Sequence, residues 1–258
     1  MNKTLSQINW SSTSKTGFIN FRPCCTSLWN TENLAPVWRS GSMENLTQKQ
    51  IETVCETLGI SKWVFFGATK ELRDNKLISE PRLQCISLAL QEDVDFRRLI
   101  IPQKNDYLNL YWHYLTQCSE VICNFFYNLS SMDEGQRILI SCYAGKDRTG
   151  IICALLCGLF TDDYQLIIED FCTSLLYLQE QIDFFKPNWE KRNIDKITYG
   201  ARFHSLEDII SELLIKIDAV YGGIIAYLLA IGVTEQVINK IRKNYKPYLI
   251  KKEITVYE

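Results

Sequence analysis

The sequence predicts an α/β fold, and three observations carry that expectation. Strand-like and helix-like segments alternate along the chain, as they do where helices cover a sheet. An apolar run of strand formers, residues 137–141 (RILIS), passes through a short loop into an apolar helical stretch that ends near residue 160. The 258 residues contain no internal repeat and no Pro/Gly/Ser-rich linker. They therefore read as a single domain, residues 1–258, long enough to bury a core without disulfide staples.

Each element rests on a local signal. Thr47-Gln48-Lys49-Gln50 is a capping box, with Thr47 as N-cap and Gln50 reaching back; the helix it opens should stop at Gly59, a good residue for a left-handed helix end. Residues 63–66 are apolar and too few for a helix, hence a strand, and residues 85–90 are a second strand candidate. From 106 to 129 the apolar positions include Tyr111, Tyr114, Cys118, Ile122, Phe125 and Leu129, a helical stripe that predicts one long helix, read as core or as a lid. A polar break at 132–136 precedes the strand at 137–141 and a helix at 149–160. Helices follow through a C-terminal subregion, about 161–250, with Thr161, Ser205 and Thr234 as expected N-caps.

Composition narrows the function. With 47% hydrophobic and 22% charged residues, the chain is neither disordered nor collagen-like. Lys and Arg total 28 against 30 Asp and Glu, and this net charge of -2 argues against a nucleic-acid binder, which needs a basic excess for phosphate contacts. No apolar run is long enough to span a bilayer, and the first residues lack the apolar core of a secretory signal, so a cytoplasmic location is expected. The ten cysteines lack paired zinc-ligand spacings and only two histidines accompany them; most are read as reduced, buried, small hydrophobes, with no metal site and no cofactor. The basic run Lys240, Arg242, Lys243, Lys246, Lys251 and Lys252 is read as the solvated face of a last helix, with attraction to anionic lipid as the alternative.

The stretch that carries chemistry is SCYAGKDRTG, residues 141–150. A buried strand enters a loop containing Gly145, and the loop opens directly into a helix. Amides of such a loop converge with the free N–H groups of the helix start and favour an anion. Cys142 begins the loop and Arg148 stands six residues later. A thiolate is the nucleophilic form of cysteine, and a guanidinium fork holds two phosphate oxygens, so the spacing suits phosphoryl transfer. Tyr143, Ala144, Gly145, Lys146 and Thr149 complete the expected anion-binding set. A nucleotide P-loop fails, since its first glycine position holds Ile140 and its final Ser/Thr position Asp147, and a cysteine protease would need a histidine base that neither His113 nor His204 suggests.

Cys-x5-Arg followed by Thr resembles the protein tyrosine phosphatase loop. The fuller string CYAGKDRTG is similar to that of the bacterial tyrosine-phosphatase-like family that includes mycobacterial protein tyrosine phosphatase B. Further matches are Asn20-Phe21-Arg22, the segment Arg39-Ser40-Gly41, Leu58-Gly59-Ile60, Asp170-Phe171 and Tyr221-Gly222-Gly223, spread over about residues 18–245. The resemblance implies a tyrosine-phosphatase-like fold, a central mostly parallel sheet flanked by helices, with a helical C-terminal part. It also implies a phosphomonoesterase that works through phosphocysteine on phosphotyrosine protein, phosphoinositide or a small phosphorylated metabolite. Catalytic roles then fall to Cys142, Arg148 and a general acid, for which Asp147 comes first and Asp93 second, with Glu92 and Asp95 beside it. The chain departs from the pattern at Ser141, where a histidine is usual, at Pro23, and at Phe66-Gly67-Ala68. These departures leave a non-catalytic phosphate binder as the alternative. A redox-sensing protein is a third class, with oxidation of the loop cysteine as its chemistry.

Overall fold

The computed structural model describes residues 18–29, 35–43, 46–68, 76–90, 96, 98–203, 206–246 and 249. The chain opens with a two-residue strand β1 (Arg22–Pro23) and then β2 (Val37–Ser40), neither of which the hydrophobic pattern announces. They are followed by α1 (Gln48–Glu52), β3 (Ile60–Phe65) and β4 (Gln84–Ser87). Next come α2 (Lys104–Gln117), α3 (Ser119–Ser130), β5 (Arg137–Ser141) and α4 (Asp147–Cys157). The remainder is helical: α5 (Tyr164–Glu180), α6 (Lys186–Lys191), α7 (Lys196–Gly200), α8 (Leu206–Tyr221), α9 (Ile224–Ala230) and α10 (Glu235–Tyr245).

The five strands form one sheet in the order β1-β2-β5-β3-β4. Only the β1–β2 pair is antiparallel; β5 runs parallel to both β2 and β3, and β3 to β4. Val37, Trp38, Val64, Ile138, Leu139 and Ile140 are buried, the continuous apolar run expected of a parallel sheet covered on both faces. Pro23 lies on the edge strand, where a missing N–H is tolerated. The loop after β5 thus leaves the middle of the sheet at the carboxyl ends of the parallel strands, where α/β folds place their ligands.

Local signals hold with instructive exceptions. Thr47 caps α1 with both arms of the capping box; a π-helical turn, Thr53–Thr57, extends it, and Gly59 ends it at φ 63°. The stripe at 106–129 forms two helices instead of one, meeting at Cys118. The bend lets α2 pack on α8 and α4 while α3 packs on α10, so one apolar stripe serves two sets of neighbours. Its aromatic residues Tyr107, Tyr111 and Tyr114 belong to the core. Asp163, not Thr161, caps α5 by accepting from the Gln165 amide, while the Thr161 hydroxyl accepts from the Asp163 amide one step earlier. Thr234 caps α10 as expected, and Ser205 lies outside the described residues. On α10 the residues Val237, Ile238, Ile241 and Tyr245 are buried and Lys240, Arg242 and Lys243 are exposed, the solvated face that its sequence suggests. No single helix among the described residues is long and apolar enough to cross a membrane.

Eight cysteines are free thiols, but Cys25 and Cys157 form a disulfide, so the reduced state expected for most of the set does not extend to this pair. The bond joins the turn after β1 to the end of α4 across 132 residues.

Candidate active site

Ser141 is the last residue of β5 and is gripped from β3. Its carbonyl accepts from the Phe66 amide at 2.7 Å, and its hydroxyl accepts from Trp63 Nε1, also at 2.7 Å. The position where the resembled family carries histidine is therefore filled by a buried serine–tryptophan pair. Cys142 follows, itself 2% exposed. Arg148 lies on the first turn of α4 and donates from Nη1 to the Phe66 carbonyl at 2.9 Å, so one residue at the end of β3 holds both the strand before the thiol and the guanidinium.

Between them, successive loop carbonyls are turned outward onto protein donors. The Tyr143 carbonyl accepts from the Ser42 amide at 2.7 Å, and the Ala144 carbonyl from Asn20 Nδ2 at 3.3 Å. The Gly145 carbonyl accepts from Asn20 Nδ2 at 2.9 Å and from Arg39 Nη2 at 2.8 Å. In a trans peptide the N–H points opposite to the C=O, so the amides of Ala144, Gly145 and Lys146 face the other way, into the loop. Together with the uncommitted N–H groups that begin α4, they form a nest for an anion. Glycine is required at 145: its φ is 67°, and a Cβ would lie 2.5 Å from the Ser40 carbonyl. Gly41 has the same cause on the facing strand end, where a Cβ would lie 2.9 Å from the Tyr143 oxygen.

The charged residues of the loop are less free than the sequence suggests. Lys146 is buried, its ammonium 2.7 Å from Asp147 Oδ1 and 4.6 Å from the centre of the Tyr107 ring. It is not a rim charge open to a second phosphate. Tyr111 donates its hydroxyl to the same Asp147 oxygen at 2.6 Å. Burial alone would raise the pKa of Asp147, but Lys146 and the Tyr111 hydroxyl outweigh it and hold the carboxyl below its ordinary value. Burial opposes the charge on Lys146 as well, yet its partner Asp147 raises the ammonium above its usual range. Asp147 is thus an ionised, engaged carboxylate. The Thr149 hydroxyl is fully buried and makes no hydrogen bond among the described residues. Tyr143 and Ala144 pack on a separate aromatic cluster that contains Phe185, Trp189, Tyr199 and Phe203, and Asn188 Nδ2 donates to the Tyr143 hydroxyl at 2.7 Å. Asp93, with Glu92 and Asp95, lies outside the described residues.

Behind the loop lies a polar group built on Asn20, Arg22, Arg39 and Asp170. Arg39, fully buried, pairs through Nη1 with Asp170 Oδ2 at 2.6 Å, and the other oxygen of Asp170 accepts from the Cys25 amide at 2.9 Å. Arg22 donates to Asn20 Oδ1, to the Asp170 carbonyl and to Ser174 Oγ. Burial and the neighbouring Arg39 lower the Arg22 value to about 10. Asn20 adopts φ 51°, a left-handed conformation that asparagine tolerates better than most residues. The donor atoms of Cys24, Cys25, Cys157 and Asp170 lie within 4.8 Å of one another, the kind of cluster that holds a metal ion. Here two of its sulfurs are bonded to each other and both carboxylate oxygens are engaged, so the donors are satisfied within the protein.

A thiol at the end of a central parallel strand, a loop of inward-turned amides and a guanidinium at the following helix start thus lie together in one place. The chain belongs to the tyrosine phosphatase family, which its residues 33–246 match. It is 26% identical over 166 residues to a tyrosine-protein phosphatase of Nostoc commune, an alignment covering 62% of this chain. The chain spans about half the length of that relative, 55%. It is also similar to the core catalytic domain of the PP-IP phosphatase SIW14 from S. cerevisiae, solved with citrate. That similarity has a TM-score of 0.33 and 16% identity, and covers 68% of this chain and 93% of that one.

Proposed function

We propose that this chain hydrolyses phosphomonoesters through a phosphocysteine intermediate, with Cys142 as nucleophile and aryl phosphates of the phosphotyrosine type as substrates. The observation that carries the reading is the outward turn of the 143–145 carbonyls, which presents the loop amides to one anion between Cys142 and Arg148. In the first step the Cys142 sulfur forms a bond to phosphorus while the ester P–O bond breaks, and the leaving oxygen takes a proton. In the second step water forms the new P–O bond, the P–S bond breaks, and the thiolate and inorganic phosphate are released. The loop amides and Arg148 hold the equatorial oxygens throughout. The Thr149 hydroxyl, unpartnered among the described residues, is a donor for the returning thiolate.

Asp147, held as a carboxylate by Lys146 and Tyr111, suits acceptance of the water proton in the second step better than supply of a proton in the first. Asp93, which follows β4 in the chain, is the candidate for the proton of the leaving group. The aryl preference is supported by the aromatic wall beside Tyr143 and by the engagement of Lys146, which withdraws the charge a polyphosphorylated substrate would seek. A cytoplasmic setting remains part of the proposal. The Cys25–Cys157 bond argues against it, because disulfides persist mainly in oxidising compartments.

The test is phosphate release without added metal from an aryl phosphate, a phosphotyrosine peptide, phosphoinositides, nucleotides and sugar phosphates, with Cys142→Ser alongside. Turnover on aryl substrates that the variant loses is the expected result. Oxyanion binding with no turnover on any substrate would make the chain a phosphate-binding module, and a preference for phosphoinositides would overturn the aryl assignment.

A further inference from the structure

We propose that Asp170 is a positioning residue for the phosphate-binding loop, acting through Arg39 on the Gly145 carbonyl. This role rests on the reading of the loop as an oxyanion site. Three observations carry it.

The contacts form an unbroken path. The Cys25 amide, at the turn tethered to α4 through the Cys25–Cys157 bond, donates to one Asp170 oxygen. The other oxygen takes Arg39 Nη1, and Arg39 Nη2 reaches the Gly145 carbonyl at 2.8 Å. The path ends on the peptide whose orientation the nest requires. If the Gly145 carbonyl lost its donors, that peptide would be free to rotate and its amide would leave the anion.

The guanidinium is also used for geometry as well as charge. Arg39 spans a carboxylate on one nitrogen and a loop carbonyl and Ser174 Oγ on the other, a fork that lysine cannot reproduce. The pair is buried, so water offers no substitute donor for Gly145.

The charges behind the loop, moreover, do not cancel. Arg22 and Arg39 face Asp170 with two positive charges against one, and Arg22 supports Asn20, the second donor to Gly145. Asp170 keeps two neighbouring buried guanidiniums in place; without it their repulsion acts directly on both donors that fix the loop.

The experiment compares full-length wild type, Asp170→Asn and Arg39→Lys by circular dichroism, by aryl phosphate kinetics, and by calorimetric binding of inorganic phosphate and of vanadate. The expected result for folded variants is a fall in kcat of about 10- to 100-fold with KM changed less, because misplacement of a preorganised group is felt most in the transition state. Vanadate affinity should fall more than phosphate affinity for the same reason. Arg39→Lys keeps the charge opposite Asp170 and removes only the fork, so it decides the question should Asp170→Asn fail to fold. Folded variants with wild-type kcat and wild-type vanadate affinity overturn the role of Asp170. Absence of phosphate and vanadate binding in the wild type overturns the oxyanion reading and this role with it.

Discussion

Asp147 receives the Tyr111 hydroxyl and the Lys146 ammonium on one oxygen, and that neighbourhood decides what the side chain does. Its lowered value means that its contribution to stability is fully present above the unfolded carboxylate value, about 3.9, and is lost as pH falls through the folded value. The raised value of Lys146 has the opposite sense: its contribution is present below about 10.4 and is lost as pH rises through the folded value. Asp147→Asn should therefore flatten the dependence of stability on pH below about 4. It should also destabilise the protein at neutral pH by up to about 3 kcal/mol, because it leaves the buried Lys146 without its counter-charge. Chemical denaturation across pH measures both, and a variant as stable as wild type at pH 7 would show that the pair contributes nothing. At this scale the sequence revealed residue types but not their partners. Lys146 read as one of the anion-binding residues and Tyr111 as core or lid, because nothing in a linear chain brings residue 111 to residue 147.

The strand–loop–helix of 137–157 is the element that sequence describes best, since its strand pattern, its Gly145 and its helix start are all local. Gly145 needs a left-handed backbone and open space against Ser40, which alanine does not have. Gly145→Ala should lose at least roughly 1–2 kcal/mol of stability and about 100-fold in kcat, the second through displaced amides. Phosphate release and denaturant unfolding test the two effects; wild-type turnover in the variant would exclude the nest as the anion site. Other elements were legible only in part. Strands β1 and β2 are too short for a periodic signal, yet β2 pairs directly with β5 and carries Arg39 to the loop. The predicted single helix at 106–129 divides at Cys118 because two different sets of neighbours claim its apolar stripe.

Across the whole molecule, the Cys25–Cys157 bond closes a loop of 132 residues and joins the turn after β1 to the helix that follows the Cys142 loop. Chain-entropy arguments assign such a closure up to about 5 kcal/mol, less any strain. Denatured, unreduced protein should accordingly show eight reactive thiols of ten, and reductant should lower the Tm; ten reactive thiols would remove the bond from the account. The fold class, the family resemblance and the pairing of Cys142 with Arg148 across one loop were all legible in the sequence itself, because hydrophobic periodicity and the Cys-x5-Arg spacing are short-range properties of a chain. The support beneath the loop was decided by tertiary structure alone. Asn20, Arg39, Asp170 and the cysteine pair are separated by tens to more than a hundred residues and meet only once the sheet has formed. Their pairing satisfies buried charges and carbonyls that no local pattern encodes, which is why those residues could be seen in the sequence and their task could not.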